Sequence, residues 1–381
     1  MTTLTTDVLI VGAGPAGLAT AIGLAESGID FLIVDALAEA QNTSRAAVIH
    51  AATLESLRHL KVADRLVAQG IKVPHFRIRD RDSVLLHTDF SRLPTPTAFA
   101  LMIPQDESEQ ILIERLAELG HSIRRPVQLV GFEIDKGRVH ATCDSAEGRL
   151  AIEARYIVGA DGEKSLVRHL SRIGFPGDTY GSFLLADVRM DWPVRKDEVT
   201  LFFSEAGTLV VAPMSRDRYR VVAQLPDAPS APTLEHVQRV IDARGPRSGA
   251  RVREVLWGSR FQVHHKLADR FRDGPTLLVG DAAHVHSPAG GQGMNLGLRD
   301  AEALSRGLAD AIRTGSDAAL DSYAVERRAA AARVLDMTDR LTRVATLADP
   351  ASRWVRNRLI AAAATLPAVR RYAARTLSGF N

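Results

Sequence analysis

The stretch Val8-Leu9-Ile10-Val11-Gly12-Ala13-Gly14-Pro15-Ala16-Gly17, continued through Gly28 to Phe31-Leu32-Ile33-Val34-Asp35, decides the fold. Val8–Val11 reads as a strand buried on both faces. Pro15–Ser27 reads as a helix closed by Gly28, and Phe31–Val34 as a second buried strand ending at Asp35. Together they form a βαβ unit with parallel strands. Gly12 permits the tight turn, Gly14 lets a pyrophosphate approach the backbone, and Gly17 lets helix and strand pack closely. The helix start, at Ala16 and Gly17, offers free N–H groups and a positive dipole end to phosphates. Asp35 follows Gly17 by 18 residues, where a carboxylate can accept hydrogen bonds from a ribose. Gly12, Gly14, Ala16, Gly17 and Asp35 are therefore expected to bind a dinucleotide.

The same stretch contains an 18-residue run without charge, Val8 to Ala25. That is long enough to consider as a membrane span. Gly12, Gly14, Pro15, Gly17 and Gly23 fall inside it, and a strand, a turn and a buried helix explain it better. The seven residues before it hold no Lys or Arg, against a secretory signal.

The remaining composition bounds the answer. With 381 residues, 46% of them hydrophobic and 24% charged, the chain is an ordinary globular sequence of two or three packed units. The net charge is +3, with six Lys among 48 Lys and Arg. The arginines are dispersed among 45 acids without a basic block, so no nucleic-acid partner is expected. Cys143 is the only cysteine, which excludes intrachain disulfides and favours a reducing, cytoplasmic compartment. It alternates with Val139 and Ala141 in a strand, as a buried inert thiol would.

The hydrophobic periods predict two interleaved units. Residues 53–69 read as an amphipathic helix, 105–120 as another, 127–143 as a hairpin and 156–159 as a short buried strand. Strands are predicted at 199–203, 209–212, 219–224, 252–263 and 276–279, with loop and short helix over 225–250. The expected class is α/β: a Rossmann-like unit (1–70, 101–170 and 267–345) interleaved with an antiparallel β-sheet unit (71–100 and 171–266). A helical tail (346–381) is expected to dock on the Rossmann-like unit.

Two further motifs follow buried strands. One is Gly159-Ala160-Asp161-Gly162-Glu163-Lys164-Ser165-Leu166-Val167-Arg168. The other is Gly280-Asp281-Ala282-Ala283-His284-Val285-His286-Ser287-Pro288-Ala289-Gly290-Gly291-Gln292-Gly293-Met294-Asn295. The second places an acid at a strand end, then a glycine-rich loop, then a long helix. Asp281 can hold a chain of hydroxyls there, and the loop can bring backbone N–H groups to a flat ring. Either motif alone could be an ordinary strand-to-helix turn.

Together the three motifs resemble the FAD-containing aromatic hydroxylases, the class A monooxygenases of the p-hydroxybenzoate hydroxylase fold, with wording closest to the phenol and aromatic-polyketide branch. The resemblance covers about residues 5–345. It implies an FAD-binding domain for the first unit and a substrate-binding domain for the second. It implies that Gly12, Gly14 and Gly17 hold the FAD pyrophosphate and Asp35 the adenosine ribose. It adds Arg45 and Gln105 as FAD contacts and places Asp161 in a motif shared by FAD and NAD(P)H. Gly280 and Asp281 would serve the ribityl chain, and the Pro288 carbonyl would face the reacting phenol. Gly293, Met294 and Asn295 would line the flavin pyrimidine. The implied reaction is NAD(P)H-dependent reduction of FAD, addition of O2 to form a C4a-hydroperoxide, and hydroxylation of a small aromatic or polyketide-like substrate. Either NADH or NADPH fits. Asp35 replaces a usual Glu, Ala52 stands where relatives often carry Arg, and Lys61 where they often carry Gly.

Other readings stay open or recede. An antibiotic-inactivating oxygenase, a reductase, a halogenase, or a non-catalytic FAD-binding partner would share the motifs. The halogenase pattern Trp-x-Trp-x-Ile-Pro is absent: Trp192 is followed by Pro193. His264, His265, His284 and His286 lack a Cys or carboxylate at ligand spacing, so no metal is expected. Phe203, Met214 and Tyr219 are candidates for the substrate pocket. A homodimer is left open.

Overall fold

The computed structural model describes residues 2–40, 46–215, 217–286, 290–345, 347 and 349–380. Strand β1 (Thr2–Val11) turns into helix α1 (Pro15–Glu26) and returns as β2 (Phe31–Val34). Strand β3 (Val48–Ile49), helices α2 (Ala51–Arg58) and α3 (Ala63–Gln69), and strand β4 (Ile71–Val73) follow. The single helix expected over 53–69 is thus two. Lys61 interrupts it at φ 59°, the left-handed region that suits a glycine.

Next come the hairpin β5 (His75–Asp80) and β6 (Ser83–Asp89), strand β7 (Ala100–Met102) and helix α4 (Gln105–Glu118). A second hairpin, β8 (Val127–Asp135) and β9 (Arg138–Ser145), leads to β10 (Gly148–Gly159) and α5 (Leu166–Leu170). Strands β11 (Gly177–Asp191), β12 (Glu198–Ser204), β13 (Gly207–Pro213) and β14 (Arg218–Gln224) precede α6 (Leu234–Arg244) and β15 (Arg251–Leu267). Short β16 (Arg272–Asp273), β17 (Thr276–Leu278) and β18 (His284–Val285) lead to α7 (Gly293–Thr314) and α8 (Ala318–Ala345). Helices α9 (Pro350–Ala363) and α10 (Pro367–Leu377) end the described chain.

The first sheet has the order β16-β17-β10-β1-β2, with β17, β10, β1 and β2 parallel. The strand expected at 156–159 is only the buried end of β10, a strand of 12 residues. Its first half pairs antiparallel with β9, which carries the hairpin onto the same sheet. Val8, Leu9 and Ile10 are fully buried, because α1 and the helices packed on it cover the sheet. Cys143 lies in this core, where burial pushes its thiol up to about 11.

The second sheet has the order β18-β15-β11-β14-β13-β12-β5-β6. It is antiparallel except where β12 runs parallel to β5. Side chains alternate across it. Leu184, Ala186, Val188, Phe202, Leu209, Val211 and Val221 pack in the cluster that Val237 and Ile241 of α6 cover. The alternate residues face a large cavity between the sheets. A third small sheet, β3-β7-β4, lies beside them.

The tail docks on both units: residues 377–379 meet α2 and α7 of the Rossmann-like unit, as expected, while its helices pack elsewhere. Helices α9 and α10 lie against β6 of the second sheet. Buried Arg356 fixes them, donating to the carbonyls of Val344, Ala345 and Phe203 at 3.0, 3.1 and 3.4 Å. Asn357 Nδ2 donates to Asp80 on β5 at 2.8 Å. Among the described residues, no helix is long and apolar enough to cross a membrane.

Candidate cofactor and substrate site

Because β17, β10 and β1 are parallel neighbours, the turns leaving their C-terminal ends meet at one edge of the sheet. Those turns are the three sequence motifs. Their contact leaves no room for side chains at two glycines of the first motif. A Cβ on Gly12 (φ 103°) would stand 2.4 Å from the Ala160 carbonyl oxygen, and one on Gly17 would stand 2.0 Å from that of Gly12. Gly14 differs: among the described residues a Cβ there meets nothing within 4 Å, and the residue opens onto the cavity. Two glycines pack the turns together and the third leaves the approach clear. Helix α1 starts at this point with Gly14 as N-cap and no side-chain cap. Its first-turn N–H groups lack intrahelical acceptors.

The three carboxylates differ in what they hold. Asp35 accepts the Ala13 N–H through Oδ2 at 2.7 Å and the Leu37 N–H through Oδ1 at 2.9 Å. Each oxygen keeps a second lone pair for a ligand. Arg125, which sequence reasoning missed, stands 3.8 Å from Asp35 Oδ2 at the cavity wall. Asp161 is turned onto its own chain. It accepts the Ser165 hydroxyl at 2.5 Å and the Leu166 and Val167 N–H groups at 2.7 and 3.2 Å, capping α5. Burial pushes its carboxyl above the usual range. Asp281 is exposed and lines the cavity from the short turn Gly280–Ala282.

Behind that turn, His284 Nε2 lies 2.7 Å from Asp300 Oδ2, and Arg327 Nε donates to Asp300 Oδ1 at 2.6 Å. Against the cost of burial, Arg327 and His284 hold the Asp300 carboxyl below the usual range. His284 is thus committed to a carboxylate. His264 is near the Thr179 hydroxyl, at 3.0 Å. Among the described residues, no group of three His, Cys, Asp or Glu could hold a metal.

The glycine-rich turn before α7 is clamped by Asn295. Its Oδ1 accepts the His50 backbone N–H at 2.7 Å, and its Nδ2 donates to the carbonyls of Val48 and Gly291, both at 2.8 Å. His50, also missed by sequence reasoning, is buried and lies 2.8 Å from the Gly290 carbonyl through Nε2. Burial drives its pKa down to about 4, against those hydrogen bonds. Gly293 and Met294 line the cavity; Asn295 stands behind them as their brace. Gln105 lines it too, accepting the Ala46 N–H at 3.1 Å and donating to Glu109 at 2.8 Å. Arg45 and Pro288 lie outside the described residues.

The cavity measures about 1420 Å³ and runs unbroken from the Gly14 turn to the second sheet. Phe183, Leu185, Val199, Leu201, Val210 and Val222 form its apolar wall. Helices α8 and α10 complete it with Met337, Leu341 and Tyr372, among others. Arg220 gives this wall a buried cation, held by Asp187 and donating to the Ala46 carbonyl at 2.9 Å.

Phe203, Met214 and Tyr219 do not line the cavity, and that expectation is corrected. Tyr219 points to the opposite face of β14 from Arg220 and Val222, beside Trp192 and Phe202. A one-residue difference in register exchanges the faces of a strand. Phe203 lies past the cavity's end, packed with Ile78, Leu85 and Ala345 under the Arg356 guanidinium. Met214 sits beyond β13, among Ala47, Val73 and Met102.

The family described as "FAD binding domain" matches residues 5–338. The chain belongs to the FAD-dependent aromatic hydroxylases. A 6-methylpretetramide 4-monooxygenase from Streptomyces rimosus is 36% identical over 348 residues, 90% of this chain. This chain spans 62% of that relative's length. A solved anhydrotetracycline hydroxylase from the same species superposes with a TM-score of 0.81 at 33% identity, covering 99% of this chain and 76% of that one. A p-nitrophenol 4-monooxygenase from Pseudomonas putida shares the fold, with a TM-score of 0.85 at 23% identity over 98% of this chain and 97% of that one. This membership fits the site's geometry: an open glycine turn, an uncapped helix start, and separate carboxylates at Asp35 and Asp281 suit an extended dinucleotide.

Proposed function

We propose that the chain is an FAD- and NAD(P)H-dependent monooxygenase that hydroxylates a phenolic or other electron-rich aromatic substrate. One observation carries this reading: the glycine turns and the apolar face of the second sheet open into one cavity of about 1420 Å³. That volume can hold a dinucleotide end and a multi-ring aromatic together. The names of the 6-methylpretetramide and anhydrotetracycline relatives support the polyketide arm of the reading.

In this reading residues 1–70, 101–170 and 267–345 hold FAD, and 71–100 and 171–266 hold the substrate. Gly14, the α1 N-terminus and Asp35 bind the adenosine side, and Asp281 binds the ribityl hydroxyls. Bound FAD would supply electron transfer from NADH or NADPH and activation of O2. The chain's own groups do the rest. The first turn of α7, at Gly293 and Met294, and the Arg220 guanidinium offer fixed positive charge where negative charge develops. The wall from Phe183 to Val222 excludes water and holds the aromatic ring. Pro288 would orient a phenol through its carbonyl.

The test has two parts. Extraction of the purified protein's chromophore should release FAD, and NAD(P)H oxidation should accelerate with a member of an aromatic panel. Mass spectrometry with labelled O2 should then find one labelled oxygen in the product. FMN, or no incorporated label across the panel, overturns the proposal.

A further inference from the structure

The last residue of α10 and the two that follow it make contacts that the three motifs do not call for. Three consecutive carbonyls are each taken by a different partner. Leu377 O accepts from Gln292 Nε2 at 3.3 Å, Ser378 O from the Ala52 backbone N–H at 3.1 Å, and Gly379 O from Arg299 Nη1 at 2.8 Å. Ala52 is in the first turn of α2, where an N–H has no helical acceptor. Gln292 is the N-cap of α7 and directly follows Gly290–Gly291. Arg299 lies on α7 itself.

The fit is close. Gly379 has φ 83°, and a Cβ there would stand 3.3 Å from Ala52 Cβ and 3.5 Å from Arg299 Nη1. The small side chain of Ala52 is what lets the segment seat. Leu377 and Phe380 meanwhile pack in one cluster with Phe76, Phe90 and Val48, and both line the cavity. The same few residues therefore touch the apolar wall and the brace of the glycine-rich turn.

We propose that Leu377–Gly379 is a positioning strap that sets the Gly290–Asn295 turn against the flavin, so that the seating of α10 governs the cofactor's surroundings. The flavin half of this inference rests on the function proposed above. Seen from Asn295, the turn is held on one side by Val48 and His50 and on the other, through Gln292 and α7, by the strap. Loss of the strap frees the second side only. The adenosine side, from Gly12 to Asp35, is untouched.

Three variants test it: Gly379→Val, Ala52→Arg and Arg299→Met. Hydrogen exchange on the FAD-free protein should show amides of 290–296 exchanging about tenfold faster, with β1 and β10 unchanged. In the FAD-loaded protein, the visible circular dichroism and midpoint potential of the flavin should shift. The FAD dissociation constant should change less than about threefold. Unchanged exchange at 290–296 in a folded variant overturns the strap. Faster exchange with an unaltered flavin spectrum and potential overturns its role toward the cofactor. A wild type that takes up no FAD overturns the proposed function instead, and the exchange result still decides whether the strap holds the turn. If Gly379→Val does not fold, Arg299→Met, which removes a single donor, carries the test.

Discussion

Asp187 on β11 and Arg220 on β14 stand directly opposite one another in register, and both carboxylate oxygens hold the guanidinium, at 2.8 and 3.0 Å. Arg218 adds a bond to Asp187 Oδ2 at 2.8 Å. Asp187 is 1% exposed and Arg220 3%. Removing one partner of such a pair leaves the other charge buried. Asp187→Asn should therefore lower the unfolding free energy by about 3–5 kcal/mol. The double variant Asp187→Leu with Arg220→Met should recover most of that loss. Denaturant titration of both decides it: equal instability would show that the pair's charge balance is not what stabilises this wall.

Gly14 and Gly17 should respond oppositely to alanine. Gly17→Ala forces a Cβ to 2.0 Å from the Gly12 carbonyl oxygen and should destabilise the whole protein. Gly14→Ala meets nothing within 4 Å among the described residues and should leave the melting temperature of the FAD-free protein unchanged. It should still weaken FAD binding by about tenfold or more, since a methyl group would occupy the pyrophosphate's approach. Wild-type FAD affinity in Gly14→Ala would place the cofactor elsewhere.

Asp281→Ala should impair FAD retention more than Asp161→Ala. A lost charge-assisted hydrogen bond costs about 1.5–3 kcal/mol, or one to two decades of affinity. Asp161→Ala should act first on stability, because its carboxylate holds Ser165, Leu166 and Val167. Fluorescence titration with FAD and thermal unfolding, run on both variants, separate the two effects.

Among the described residues, a Cβ at Gly293 would meet only the His286 ring, at 3.9 Å, so Gly293→Val should fold. Its side chain would intrude where the proposed function puts the flavin's pyrimidine edge. The expected outcome is a lower flavin midpoint potential and a larger fraction of consumed O2 released as hydrogen peroxide. A loaded Gly293→Val protein matching wild type in both quantities would move the α7 N-terminus away from the ring.

His50 predicts a pH dependence of stability. The unfolded imidazole titrates near 6.5, and the folded one at about 4, lowered by burial. Between those values the unfolded chain binds the extra proton. His50 therefore supports the fold fully above about pH 6.5 and progressively less as pH falls towards 4. His50→Gln should flatten the melting temperature across that window relative to wild type. Parallel profiles would contradict it.

The sequence made the Rossmann-like unit legible because its signals are local. Val8–Val11, Phe31–Val34 and the turn glycines sit within one short stretch, and each has a period or a backbone requirement of its own. The cavity wall was not legible, because strand register is set by partners distant in sequence. Tyr219 and Arg220 are adjacent residues with opposite destinations, and nothing local says which faces the cavity. His50 and Arg125 were hidden for another reason. They belong to no motif, and the contacts that give them meaning, at Gly290 and Asp35, lie 240 and 90 residues away. The tail was legible in part: its apolar stripe shows that it docks, but not that β6 of the second sheet shares it with α2 and α7.

Strand β18, within the third motif, pairs with the end of β15: Val285 is opposite Lys266 and His284 opposite Leu267. At the far side of the same sheet, β12 takes residues 75–79 as its parallel neighbour. The two sheets are thus sewn together by chain that passes back and forth between them. Neither can be excised as a continuous fragment and expected to fold. Exchanging substrate preference between such proteins by swapping contiguous modules should fail, whereas transplanting the alternating residues on β11, β12, β13 and β14 keeps every seam intact.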